Sequence, residues 1–142
     1  MLTNESLLHE LYFDRDFNCA ESILRYFNTI MDIGICDDDL KLLGGFGGRM
    51  GCGRTCGALC GCIALIIKVK IKDHAHEDPG FKVLCGRFMD LFVASLSSVE
   101  CVQIKEKMFI PEQRCWETGR SSAELLEGFW QTTEESALMG VS

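Results

Sequence analysis

Residues 44–72 read GGFGGRMGCGRTCGALCGCIALIIKVKIK. Helix and strand compete in its second half, Cys56 to Lys72, because the run IALIIKVKIK is rich in β-branched residues. Helix prevails on two grounds. The segment opens with Ala, Leu and Gly, and no second strand-like run exists elsewhere to pair with it. Thr55 is the expected N-cap, and a helix over 56–72 would be about 25 Å long at 1.5 Å per residue.

The same logic extends outward. Asn18 to Met31 places Ile23, Phe27 and Ile30 at helical spacing behind Asp16 or Asn18 as cap. Asp37, Asp38 and Asp39 favour a helix start through the dipole and lead into LKLLGGFGG. Four glycines in five residues weaken a helix by about 1 kcal/mol each, so close approach of another backbone is the expected compensation. Phe81 to Leu96 is helical through Leu84, Phe88, Leu91 and Phe92. Ser97 or Ser98 caps a shorter helix through Cys101 and Ile104, and Pro111 breaks the chain before a last helix containing Cys115, Leu125, Leu126, Phe129 and Trp130. The prediction is an all-α, compact single domain over 1–142 with five or six helices.

Composition bounds the function. With 14 Lys plus Arg against 21 Asp plus Glu and no basic stripe, the net charge of −7 would repel nucleic acid and anionic membranes. The N-terminal MLTNESLLHELYFDRD has neither the basic nor the apolar region of a secretory signal, and the longest apolar run, Ile63 to Ile67, is too short to span a bilayer. A cytoplasmic location is expected. Nine cysteines are then out of place as structural disulfides, and the odd number cannot pair completely within one chain.

Several uses of the glycine- and cysteine-rich segment compete. Gly48 to Thr55 is one substitution from the GxxxxGK[ST] phosphate loop, with Arg54 in the lysine position, but that motif needs a buried strand before it and the preceding DDDLKLLGGF is helix-like. Cys36, Cys62 and Cys85 read as small buried hydrophobes. Cys19, Cys56, Cys101 and Cys115 differ in position. Each falls at a predicted helix start, where unpaired N–H groups and the positive dipole end stabilise a thiolate and lower its pKa. A thiolate serves disulfide exchange and metal ligation alike. Arg49 and Arg54 flank the cysteine turn and would lower a nearby thiol further. No CxxC pair exists, so structural zinc would need four ligands from distant segments. His74 and His76 sit in the polar loop DHAHEDPG and read as solvated surface; Trp116 and Trp130 read as core.

Asn18-Cys19-Ala20, the segment GGFGGRMG, the hexamer Cys56-Gly57-Ala58-Leu59-Cys60-Gly61 and the later Cys101 and Cys115 together resemble the C_GCAxxG_C_C family of redox-active proteins over nearly the whole chain. The resemblance implies a helical fold and assigns the family cysteines to Cys19, Cys56, Cys101 and Cys115, the four found at helix starts. A related domain occurs in split-Soret cytochromes. That implies an iron–sulfur cluster as the cofactor if there is one, while the absence of CxxCH removes c-type haem. The expected activity is thiol–disulfide exchange, with Cys56 as first nucleophile, or single-electron transfer through four cysteine ligands, with a redox partner the sequence leaves open. The alternatives are a zinc-binding structural module and a nucleotide-binding loop at 48–55. Cys52 and Cys60, at i−4 and i+4 from Cys56, are additions to the family pattern and would share its face if the helix began early.

Overall fold

The computed structural model of the chain describes residues 2–138, apart from the side chains at 48, 49 and 134–138. These residues form seven α-helices and no β-strand: α1 Glu5–His9, α2 Cys19–Ile30, α3 Asp37–Leu40, α4 Gly57–Lys70, α5 Gly80–Leu96, α6 Cys101–Met108 and α7 Trp116–Leu138. The all-α expectation holds, and the count is seven rather than five or six. The unexpected helix is α1. It is too short to display a period, yet it is properly started, with the Asn4 side chain accepting from the Leu7 N–H and Glu5 in the first turn. It runs straight into a π-helical turn at Glu10–Asp14.

The centre of the molecule is the α2–α4 pair, the most extensive helix contact in the fold. Asn18 and Glu21 close a reciprocal capping box on α2, satisfying two backbone donors at its start. Close approach of α4 depends on absent side chains. A Cβ at Gly61 would stand 2.8 Å from the Ala20 carbonyl, and one at Gly57 would stand 2.8 Å from both the Phe46 carbonyl and the Gly47 Cα. Ile23, Phe27, Leu65 and Ile66 fill the space beyond, each removed from water, and each contributes about 2 kcal/mol of burial free energy. α5 and α7 close the core through Phe88, Phe92 and Leu126, with the Phe88 ring edge-on to Phe129 at 5.5 Å.

Several predicted boundaries move, each for a local reason. The acidic start yields only the short α3, and the glycine-rich segment continues as two 3-10 turns, Lys41–Gly45 and Gly47–Gly51, rather than as a long helix. α4 is capped by Cys56 rather than Thr55, because Thr55 is held extended in an antiparallel bridge to Glu100. Ser97 is the left-handed C-cap of α5, with φ +73°, while the Ser98 hydroxyl accepts from the Glu100 N–H at 3.0 Å and Glu100 itself precedes α6. α7 starts at Trp116, leaving Cys115 just outside it. No helix among the described residues is long and apolar enough to cross a membrane.

Candidate functional site

The four cysteines at helix starts come together. Cys19 is the first residue of α2, Cys56 the N-cap of α4, Cys101 the first residue of α6, and Cys115 stands immediately before α7. The charge that Cys19 would carry is felt by Cys56, Cys115 and Cys101, and that of Cys56 by Cys101 and Cys115. Gly57 makes the meeting of the first two possible: a Cβ there would lie 2.6 Å from the Cys19 sulfur.

Each thiol is fixed by a different local device. Cys56 and Cys101 flank the Thr55–Glu100 bridge: the Cys56 N–H donates to the Val99 carbonyl at 2.8 Å and the Cys101 N–H to the Arg54 carbonyl at 2.6 Å. Side chains alternate along an extended chain, so both cysteines lie on the face opposite Thr55 and Glu100, as diagonal neighbours. Cys19 is set by the Asn18 box, and the Asn18 amide also donates to the Gly44 carbonyl at 2.8 Å, tying the glycine-rich turns to the same helix start. Cys115 is set by Tyr12, whose hydroxyl accepts the Cys115 N–H at 3.0 Å. Nothing in the sequence signals that role for Tyr12; it lies in an ordinary aromatic run, LYFD.

The predicted low pKa is corrected. Burial pushes the Cys19 thiol up to about 12, with the neighbouring sulfurs Cys56 and Cys115 adding to the rise, and pushes Cys56 up to about 11. The amides of Ala20 for Cys19, and of Leu59 and Ala58 for Cys56, oppose this and are outweighed. Desolvating an anion costs more than a few aligned N–H groups return when the site is this dry: Cys56 and Cys101 are 3% and 6% exposed. Cys56 is therefore a neutral, buried thiol at pH 7 and a poor first nucleophile. Cys19 and Cys115 are half-buried.

The remaining cysteines divide. Cys62 is wholly buried, its thiol 3.8 Å from the Ser122 carbonyl, and Cys85 is half-buried. Cys36 is exposed at the start of α3, contrary to its reading as core. Cys52 is exposed on the turn made by Gly51 and Gly53, with φ +73° and +75°, so it does not share a helix face with Cys56; Cys60 is half-buried on α4. Each of the nine stands as a thiol, and no group of three or more His, Cys, Asp or Glu among the described residues could hold a metal ion with the side chains as they stand.

Other candidates separate from the site. His74 and His76 lie in an exposed 3-10 segment, where His74 pairs with Asp73. Arg54 is 73% exposed and pairs with Glu100 at 3.6 Å rather than with a sulfur; the Arg49 side chain lies outside the described residues. The segment 48–55 begins inside the 3-10 turn Gly47–Gly51, and the buried strand a phosphate loop requires is absent from the described residues. Trp116 is buried against His9, Tyr12 and Phe13, while Trp130 is half-buried.

The fold is helical, and four cysteines stand at or beside its helix starts. The chain belongs to the C_GCAxxG_C_C family, described as "Putative redox-active protein", whose model matches residues 17–129 and so includes all four cysteines. No curated protein and no solved structure matches the chain.

Proposed function

We propose that Cys19, Cys56, Cys101 and Cys115 form one redox centre and serve as the ligands of an iron–sulfur cluster. The observation that carries this reading is the placement of the thiols: Cys56 and Cys101 flank the Thr55–Glu100 bridge as diagonal neighbours, and the Cys19 sulfur lies against Gly57, the residue after Cys56. Disulfide exchange needs only two thiols. A set of four soft donors, with no carboxylate or imidazole among them, is the donor set that iron–sulfur clusters take. A bound cluster supplies storage for one electron, at a potential set by hydrogen bonds to sulfur and by exposure.

The chain's own residues supply the rest. Four helix starts direct backbone N–H groups toward anionic charge. The dry surroundings that keep Cys19 and Cys56 protonated when no cation is near leave them to ionise when one arrives, so loading releases protons and weakens as pH falls. Cys19, Cys56, Cys101 and Cys115 would be the residues that hold the cluster, their backbones fixed by the bridge, the capping box and Tyr12.

The Thr55–Glu100 bridge favours one second reading, a Cys56–Cys101 dithiol. There the two thiols reduce a disulfide R–S–S–R, forming the Cys56–Cys101 S–S bond and releasing two R–SH, with both protons passing to the leaving sulfurs. Oxygen-free purification separates the two. Cluster ligation predicts brown protein with iron and sulfide in equal amounts, both lost in Cys56→Ser and Cys115→Ser. Colourless, iron-free protein in which mass mapping after oxidation links Cys56 to Cys101 supports the dithiol and ends the cluster reading. One zinc per chain with no redox couple defeats both.

A further inference from the structure

A glycine-rich strap, residues 44–47, crosses the start of α2 beside Cys19. The Asn18 amide donates to the Gly44 carbonyl at 2.8 Å, and Gly47 packs so closely on the Asn18 side chain that a Cβ there would collide with it. The Phe46 carbonyl, the Gly47 Cα and the Cys19 sulfur then converge on Gly57, where a Cβ would stand 2.8, 2.8 and 2.6 Å from them. Strap, sulfur and the first residue of α4 therefore meet at one point.

Burial does little to hold the strap down. Leu40 and Leu43 anchor the chain before it, and Thr55 is fixed beyond it by the bridge to Glu100. Between Gly44 and Thr55 no described side chain is buried: Phe46, Met50 and Cys52 are exposed, and Met50 sits at φ +56°, a left-handed conformation disfavoured for a residue with a side chain. A segment with few buried apolar contacts opens locally at small free-energy cost. Asn18 divides its contacts between two atoms. Its Oδ1 caps α2 by accepting from the Glu21 N–H at 3.1 Å, while its amide nitrogen reaches the strap. Capping needs only the oxygen, which serine supplies as well as asparagine does. We infer that Asn18 is a positioning residue, a latch whose amide holds the strap closed against the Cys19 sulfur and sets how readily an electrophile, oxidant or metal ion reaches that thiol from solvent. The purpose of the latch rests on the proposed redox centre; its control of access does not.

The test follows alkylation of individual thiols by N-ethylmaleimide, resolved by mass mapping, on the reduced full chain after chelation, so that every sulfur is available whatever the centre binds. Exposed Cys36 is the internal standard, and buried Cys62 and half-buried Cys85 report general loosening. Asn18→Ser keeps the cap and deletes the amide. Cys19 is expected to react about tenfold faster relative to Cys36, the opening gained by losing one hydrogen bond, with Cys62, Cys85 and the urea midpoint unchanged. Gly47→Ala leaves Asn18 in place but drives a methyl group into its side chain, and is expected to accelerate Cys19 to a similar extent. The double variant is expected to go no further, because both changes break the same bond. A wild-type Cys19 that already reacts as fast as Cys36, or an Asn18→Ser rate equal to wild type, overturns the latch. So does acceleration of Cys19, Cys62 and Cys85 together, or additive acceleration in the double variant. Failure of the redox centre shows separately, as absent iron and an absent couple, and leaves these rates to be read.

Discussion

Two buried polar clusters occupy this fold, and they are built on opposite terms. One joins the N-terminal segment to α7: the Tyr26 hydroxyl donates to Glu127 at 2.6 Å and accepts the Asn4 N–H at 3.1 Å, while Thr3 donates to the same carboxylate from its N–H and its hydroxyl. Every strong donor there meets an acceptor within the chain. The other is the thiol cluster, whose members carry weak S–H donors and raise one another's pKa. A closed network of hard groups holds a structure together on its own. A cluster of soft groups that oppose each other's ionisation is stable as neutral thiols, and gains most from a cation or from oxidation.

The sharpest way to break that contrast is Gly57→Ala. Its methyl group would overlap the Cys19 sulfur, the Phe46 carbonyl and the Gly47 backbone at once, so α4 must back away from α2. The expected loss is about 3 kcal/mol in urea unfolding, together with loss of the redox centre. Next in size is Glu127→Gln, which sets an amide N–H₂ against the Thr3 donors. It is expected to cost about 2 kcal/mol by the same measurement and to leave thiol reactivity and redox behaviour unchanged. A change in the thiols from that substitution would mean the two clusters are one coupled system.

The effect confined to the thiols is the alkaline slope. The folded values of about 12 for Cys19 and about 11 for Cys56 lie above the ordinary 9, so between pH 9 and their folded values the unfolded chain has released protons that the folded chain keeps. The unfolded state then binds fewer protons, and stability falls as pH rises; below pH 9 the contribution is complete. Each of these thiols costs about 1.4 kcal/mol per pH unit in that window. Tyr26, raised by burial and by Glu127 from 10, adds in the same direction only above pH 10. Urea titrations between pH 9 and 10 therefore isolate the thiols, and Cys19→Ala is expected to flatten that slope.

The placing of the four cysteines at or beside helix starts was legible because capping is local: Asn18 with Glu21, and Pro111 with the helix beyond it, mark helix starts over a few residues. The glycines that admit α2 to α4 were legible as a need for close approach, and the need is met on both sides: at Gly47, where a Cβ would collide with the Asn18 side chain, and at Gly57 and Gly61 on α4. What stayed hidden is non-local. The Thr55–Glu100 bridge and the Tyr12–Cys115 bond join positions with no shared sequence pattern, and both displace the boundaries that capping rules suggest. The sign of the thiol shifts was hidden for a related reason: a helix start is visible in sequence, whereas how much water the rest of the chain strips from it is not.

The π-helical turn at Glu10–Asp14 fixes a rotational phase. It carries one residue more per turn than the α-helix on its N-terminal side, and a residue is worth about 100° of rotation. A single deletion within those five positions would leave a good helix while swinging Leu2, Thr3 and Asn4 around its axis and off Glu127 and Tyr26. Length between the N-terminal anchor and Cys19 is thus constrained along with the identity of Tyr12, and insertions or deletions there are expected to be tolerated less than substitutions at its exposed positions.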